Sequence, residues 1–475
     1  MTSQILSEAL RDLALCVKAA IEQGESGGEI APEKRSSLRN TVENFDYETL
    51  SHSSRPKSIV EVSWSSSVQR IVGSIIGTRK YASALEHVEN AIGKQDSSRY
   101  LDFFVERLVK EMLENPDSRT HRIDETVTTF VKDLHGEPLP YLAESKLDGL
   151  MLRPDHIQID PQTHLRRTTP DDMEKEAAMF IGIALARTAE VMPSAILEIE
   201  LVTRGGNEIH EEIGRAITTL RLFRTGSVRL LRSSYYSASV IDKTAGAMIL
   251  GNRFETTLWR YWISERDVEL LKDFWQTMTG AVRILVTPTR DPLFTAVAYN
   301  HYSTALLRSA SLQSLIAEAV EGLEALFTSD GEGRFIFLVR DVIARIRGEE
   351  TGHVVHNLRQ RTGRVLESLG MEPAYVKKVV NDAYAVRSSK THGGILDQKE
   401  ERRIIRRYGS CEQLLRLILD YLRICLVVAL LHGKTKEEFI DLVDRAWVDV
   451  TNREALNQMG SRVKPYAQTD YDIMR

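Results

Sequence analysis

The run Asn381-Asp382-Ala383-Tyr384-Ala385-Val386-Arg387-Ser388-Ser389-Lys390-Thr391-His392-Gly393-Gly394 carries an arginine and a histidine with four residues between them. A guanidinium keeps its charge at any physiological pH, whereas an imidazole titrates near neutrality. Arg387 and His392 together are therefore suited to cutting a phosphodiester: one side chain neutralises phosphoryl charge while the other moves a proton. Further cations cluster around this pair. Lys377, Lys378 and Lys390 lie on the same stretch, and Lys399-Glu400-Glu401-Arg402-Arg403-Ile404-Ile405-Arg406-Arg407 follows shortly after His392. On a helix, Arg402, Arg403, Arg406 and Arg407 fall on neighbouring faces one turn apart, where they can hold a nucleic-acid backbone. The alternative is a solvated face with Glu400 and Glu401 as ion-pair partners.

Other chemistry-bearing types are less well arranged. His353 and His356 have helical spacing but no carboxylate or thiol at ligand spacing, so a surface role is expected and no metal site. Thr203-Arg204-Gly205-Gly206-Asn207 lacks the lysine and hydroxyl residue of a phosphate loop and reads as a strand-to-helix connection. Neither Gly-x-Ser-x-Gly nor His-Glu-x-x-His occurs. Cys16, Cys411 and Cys425 are scattered, which argues against a cysteine zinc site or a disulfide framework and fits a reducing cytosol. No cofactor is expected.

The elements that must position Arg387 and His392 are helical. Pro373 suits a helix start, Val376, Val379, Val380 and Ala383 form an apolar stripe, and Gly393-Gly394 suit the end. Arg387 follows Val376 by eleven residues, about three turns, and so falls on the continuation of that stripe, where it needs an anion or a polar cleft. Periodicity predicts helices at 294–309, 312–327, 333–347, 353–369, 373–391 and 398–432, packed as a bundle. Leu414 to Leu431 is the most apolar stretch but holds Arg416, Asp420 and Arg423, so it reads as a bundle core helix and not a membrane span.

The wording Tyr-x-x-Arg-Ser-x-x-x-His-Gly-Gly, with its Arg-x4-His pair, resembles the signature of Apea-like HEPN domains. Upstream, Leu312 to Phe327, with Glu321-Gly322-Leu323-Glu324-Ala325-Leu326-Phe327, looks like that family's early helix, and Phe337 to Ile346 looks like its next one, with Arg340 at a family arginine. The resemblance covers about a third of the chain and implies a metal-independent endoribonuclease. In that reading the RNA 2′-hydroxyl is the nucleophile, His392 is the general base or acid, and Arg387 neutralises charge on the phosphoryl oxygens. Glu324 supports by holding Arg387, the products carry a 2′,3′-cyclic phosphate, and a homodimer sets two such pairs in one cleft. Ser388 departs from the Asn, Asp or His that nucleolytic members often carry after the arginine.

The remaining chain divides by texture. Residues 1–120 read as an N-terminal helical region, with Leu6, Leu10, Leu13 and Val17 amphipathic up to a break at Gln23–Gly28, and with helices over Val68–Ile92 and Tyr100–Leu113. Residues 121–290 read as an α+β domain: a hairpin formed by Leu147–Leu152 and His156–Asp160 around Arg153-Pro154-Asp155, strands at Ala195–Leu201, Ser227–Leu231 and Thr257–Trp262, and a helix over Glu208–Phe223. Ser264 is placed to cap a further helix. Residues 291–447 form the HEPN bundle, and 448–475 a tail without a sustained pattern. The predicted class is thus mainly α. A formal net charge of -5 offers no global attraction for RNA, so any contact must come from a local basic patch. The early Glu8, Arg11 and Asp12 do not suit a signal peptide, and a cytoplasmic protein with no membrane contact is expected. Expected partners are RNA, a second copy of the chain and a regulatory protein or phage-derived trigger, in phage defence or toxin-like growth arrest. Two rival readings remain: a non-catalytic HEPN bundle that binds nucleotide, RNA or protein, in which Arg387 pairs structurally with Glu324, and a DNA-binding regulator acting through residues 121–290.

Overall fold

The computed structural model describes residues 2–26, 66–114, 119–172, 193–204, 206–237, 239, 248–250, 255, 257–286, 293–328, 353–391 and 396–467. It is mainly helical, with a small antiparallel sheet set between two helical regions. The N-terminal region contains α1 (Thr2–Ser26), α2 (Ser66–Ile76), α3 (Arg79–Ile92), α4 (Ser97–Glu114) and α5 (Arg119–Leu134). These helices share one core, in which Leu6, Leu10, Leu13, Val17 and Ile21 form the α1 seam. The helix α1 ends at Ser26, within the expected break Gln23–Gly28, and the fully buried Ile21 carries its seam close to that end. Val68–Ile92 is not one helix: Thr78 caps α3 by accepting the Tyr81 N–H at 3.2 Å.

The sheet holds β1 (Leu139–Asp148), β3 (His156–Gln158), β4 (Thr163–Arg167), β5 (Ala195–Thr203), β6 (Arg229–Ser237) and β7 (Met248–Leu250) in the order β3-β4-β5-β1-β6-β7. The hairpin expected around Arg153-Pro154-Asp155 does not form. Its first arm divides: Leu147 and Asp148 end β1, while β2 (Leu150–Leu152) pairs in parallel with β8 (Tyr261–Ile263). The second arm, β3, pairs with β4 instead. Gly149 separates the two pieces, at φ +86° and so close to Ser227 that a Cβ would stand 2.2 Å from its carbonyl oxygen. That crowded left-handed turn is a long-range feature that alternation within the segment does not encode.

The helix α6 (Gly206–Phe223) covers the sheet through Ile209, Ile213, Ala216 and Leu220. Next comes α7 (Val268–Val286), entered through a turn in which the Asp267 carboxylate accepts from the Ser264 N–H and Oγ at 2.8 and 2.6 Å. The bundle then comprises α8 (Leu293–Leu307), α9 (Leu312–Phe327), α10 (His353–Glu367), α11 (Pro373–Thr391), α12 (Gln398–Tyr408), α13 (Cys411–His432), α14 (Lys436–Arg445) and α15 (Val450–Val463). The predicted single helix over 398–432 is two. Gly409 ends α12 at φ +85°, and Ser410 starts α13 by accepting the Gln413 N–H at 3.1 Å. The described part of the supposedly patternless tail, up to Ala467, is helical: Asp449 accepts the Thr451 N–H at 2.9 Å, and Leu456, Val463 and Tyr466 are buried. The helix predicted over 333–347, with Arg340, lies outside the described residues. Among the described residues, no helix is long and apolar enough to cross a membrane.

One continuous core joins the sheet layer to the bundle, from Leu139 to Ala467. Within it sits an ion pair. Arg423, 1 % exposed, contacts Asp420 through Nε and Nη2 at 3.0 and 2.8 Å, and its Nη1 donates to the carbonyls of Leu222, Phe223 and Tyr466. Thr225 adds its hydroxyl to Asp420 at 2.7 Å. A buried charge survives only when its donors are satisfied in this way, so the cluster fixes the end of α6 against α13.

Candidate functional site

The helix α11 presents two faces, each completed by side chains from neighbouring helices. Val376, Val379, Val380, Ala383 and Val386 are buried toward the bundle. Arg387 prolongs that face, as its spacing requires, and reaches across to α9, where Nη2 meets Glu324 Oε2 at 3.0 Å. Its Cζ lies 5.6 Å from the centre of the Tyr384 ring, one turn back, in a cation–π contact. The Arg387 side chain is 24 % exposed and that of Glu324 17 %, so this pair lies at the rim of the core, partly open. Burial raises the Glu324 pKa above its ordinary value; Arg387 opposes the shift and Glu321 adds to it. Burial likewise raises the Tyr384 hydroxyl. His392 lies outside the described residues, with Gly393 and Gly394.

Beside this pair, along α9, stands a feature that reading the sequence missed. His301 on α8 places Nδ1 2.8 Å from Glu318 and 3.8 Å from Glu321, so that Arg387, Glu324, Glu321, His301 and Glu318 form a continuous polar row. The three groups offer ligand atoms within 4.8 Å of one another, the one such grouping among the described residues. The half-buried His301 is accounted for by its hydrogen-bond contact with Glu318 and its approach to Glu321. Helical spacing within α9 relates the glutamates, but nothing local to the sequence brings His301 to them.

Comparison with protein-family models, curated proteins and solved structures returns no match.

The opposite face of α11 opens a cleft of about 430 Å³ between α10, α11 and α12. Lys377, Lys378, Arg403 and Arg407 line it, four of the residues singled out for phosphate contact, together with Arg359, Gln360, Asn381 and Asp382. Arg402 and Arg406 are exposed on α12 but do not line the cleft, nor do Ser388 and Lys390 at the end of α11. Asp382, 1 % exposed, organises the wall: it accepts from Tyr408 Oη at 2.7 Å and from Arg407 Nη1, and forms an ion pair with Arg403 Nη2 at 3.2 Å. The hydrogen bond with Tyr408 and then the Asp382 contact push the Arg407 pKa upward, and burial does the same for Tyr408. Arg359 completes the wall, its Nη1 3.5 Å from Asn381 Oδ1. It went unnoticed in the sequence because it sits on a different helix, without an acidic or aromatic companion nearby. Asp382 was within the quoted motif, yet its role depends on Tyr408, a full helix away.

The side chains of His353 and His356 lie outside the described residues. Glu400 stands 3.8 Å from Arg403, one of the solvated pairings weighed for this run.

Proposed function

We propose that this chain is a HEPN-type endoribonuclease that works on RNA without a metal ion, with Arg387 and His392 as its reacting pair. The observation that supports it is the fixed guanidinium: Glu324 and Tyr384 hold Arg387 at the end of α11, five residues before His392 in the chain. In the reaction one imidazole takes the proton of the ribose 2′-hydroxyl, and that oxygen attacks phosphorus. The P–O5′ bond breaks, and a second imidazole protonates the leaving 5′-oxygen, leaving a 2′,3′-cyclic phosphate. Arg387 neutralises the phosphoryl oxygens as charge builds on them. A homodimer would supply the two imidazoles. A role in phage defence or growth arrest, with residues 1–290 sensing a trigger, follows from the resemblance alone.

The test is cleavage of a structured RNA by wild-type protein, Arg387→Ala and His392→Ala. Loss of either group should slow cleavage by about 10²–10³-fold, the usual effect of removing one transition-state contact. Equal cleavage by all three proteins eliminates this site. One observation favours a second reading, a HEPN-like bundle that binds phosphate without cutting: Arg387 is already engaged by Glu324 and three-quarters covered. That reading predicts RNA binding with no cleavage in any of the three.

A further inference from the structure

The cleft on the other face of α11 has more charge than a single phosphate needs. Arg359, Lys377, Lys378, Arg403 and Arg407 contribute five positive charges and Asp382 one negative, a net of +4 around about 430 Å³. The volume is that of a small-molecule site, but such sites are mostly apolar, whereas here Ala374 is the single apolar residue among the described ones that line it. Among the described residues no aromatic ring lines the cleft, so they give a nucleobase nothing to stack on. Two of the guanidiniums are also pre-positioned. Asp382 is 1 % exposed, accepts from Arg407 and forms an ion pair with Arg403, while Tyr408 anchors it from the core side. Each guanidinium carries five N–H donors in a planar fork, so the contact with Asp382 leaves donors for an incoming anion.

We propose that this cleft is a binding site for a compact oligophosphate, three or more phosphates joined in a chain, recognised by charge and not by base. A backbone presents one charge per nucleotide, spread along the strand, whereas a triphosphate gathers several against one small set of cations. Two sources supply this chemistry, a free triphosphate and the 5′-triphosphate end of an RNA. The inference rests on reading these residues as phosphate contacts, not on cleavage at Arg387, which lies on the opposite face of the helix.

The experiment is calorimetric titration of the full-length protein with inorganic triphosphate, with orthophosphate, and with matched RNA oligomers carrying a 5′-triphosphate or a 5′-hydroxyl. Triphosphate should bind at least about tenfold more tightly than orthophosphate. Lys377→Gln/Lys378→Gln, both on the helix surface, should lose about tenfold or more in affinity, and Arg387→Ala should bind as wild type does. Binding of free triphosphate assigns the free source; binding confined to the 5′-triphosphate oligomer assigns the RNA end. Equal affinity for triphosphate and orthophosphate, indifference to the double lysine substitution, or RNA binding that ignores the 5′ group would each overturn the proposal. Tight triphosphate binding by a protein that cuts no RNA would sink the nuclease reading and leave this one standing. The reverse pattern would do the opposite.

Discussion

Replacing Arg423 by methionine should be the most damaging single change in the bundle, for a reason that can be worked through contact by contact. The guanidinium is 1 % exposed and Asp420 5 %, so water compensates neither when the partner is lost. The substitution leaves Asp420 charged with Thr225 Oγ1 as a remaining donor, and takes a donor from the carbonyls of Leu222, Phe223 and Tyr466. Breaking one side of a buried ion pair costs about 3–5 kcal/mol, with the orphaned carboxylate responsible for most of it. The methionine fills much of the vacated volume, so a cavity contributes little. Urea denaturation followed by tryptophan emission is the assay, since Trp259 and Trp275 are buried in the same core. The expected result is a loss of about 4 kcal/mol for Arg423→Met, with about half or more regained in Arg423→Met/Asp420→Leu, where no charge is left buried. A loss below about 1 kcal/mol, or a double variant no better than the single one, would refute the claim that this pair docks α6 and the sheet onto α13.

Glu324→Gln tests the electrostatics beside Arg387. Because the folded-state pKa of Glu324 is raised above its ordinary 4.5, the folded protein holds that proton more tightly than the unfolded chain does. Its contribution to stability is therefore complete below about 4.5 and is lost as pH rises through the raised value. Wild-type stability should fall relative to Glu324→Gln between pH 4.5 and 7, and a gap that stays constant or moves the other way in paired denaturation curves defeats the assignment. Gly149→Ala should destabilise the sheet layer by more than about 1 kcal/mol, since it combines a positive φ with a carbonyl oxygen 2.2 Å from the new methyl; an unchanged urea midpoint would contradict the geometry. Ser410→Ala, which removes the α13 cap, should cost about 1 kcal/mol, and circular dichroism during the same titration will register it; no loss would mean that the Gly409 turn alone divides α12 from α13.

Local pattern was enough for the helices that matter here. Pro373 begins α11, and its stripe of valines is buried as the spacing demanded. Glu324 faces Arg387 from sixty-three positions earlier in the chain, an arrangement legible only because the motif order suggested it. What failed was non-local. β2 finds its partner more than a hundred residues away in β8, so no periodicity within Leu147–Asp160 could reveal the pairing. Gly409-Ser410 carried a visible stop-and-start signal that the apolar run around it overrode. The basic run on α12 was read as one patch, yet Asp382 draws in only Arg403 and Arg407, because a helix turns 100° per residue and Arg402 and Arg406 fall to one side.

The division of α11 explains why its amphipathic pattern is weak although the helix is well packed. A helix that buries one side and exposes the other shows a strong contrast, but α11 places a permanent cation, Arg387, on the side toward the core and a buried carboxylate, Asp382, on the side toward solvent. Each group inverts the local rule, and each is compensated from another element: Glu324 of α9 for the cation, and Tyr408, Arg403 and Arg407 of α12 for the anion. Sequences violate their own patterning mainly where function or fixed geometry demands it. Two violations on one helix, on opposite faces and with separate compensating partners, match the two sites proposed above. Mutations at one should therefore leave the other intact: Arg387→Ala is expected to spare oligophosphate binding, and Lys377→Gln/Lys378→Gln to spare the Arg387–Glu324 contact. Loss of both properties from either substitution would mean that α11 moves as a single switch and that the two faces form one site.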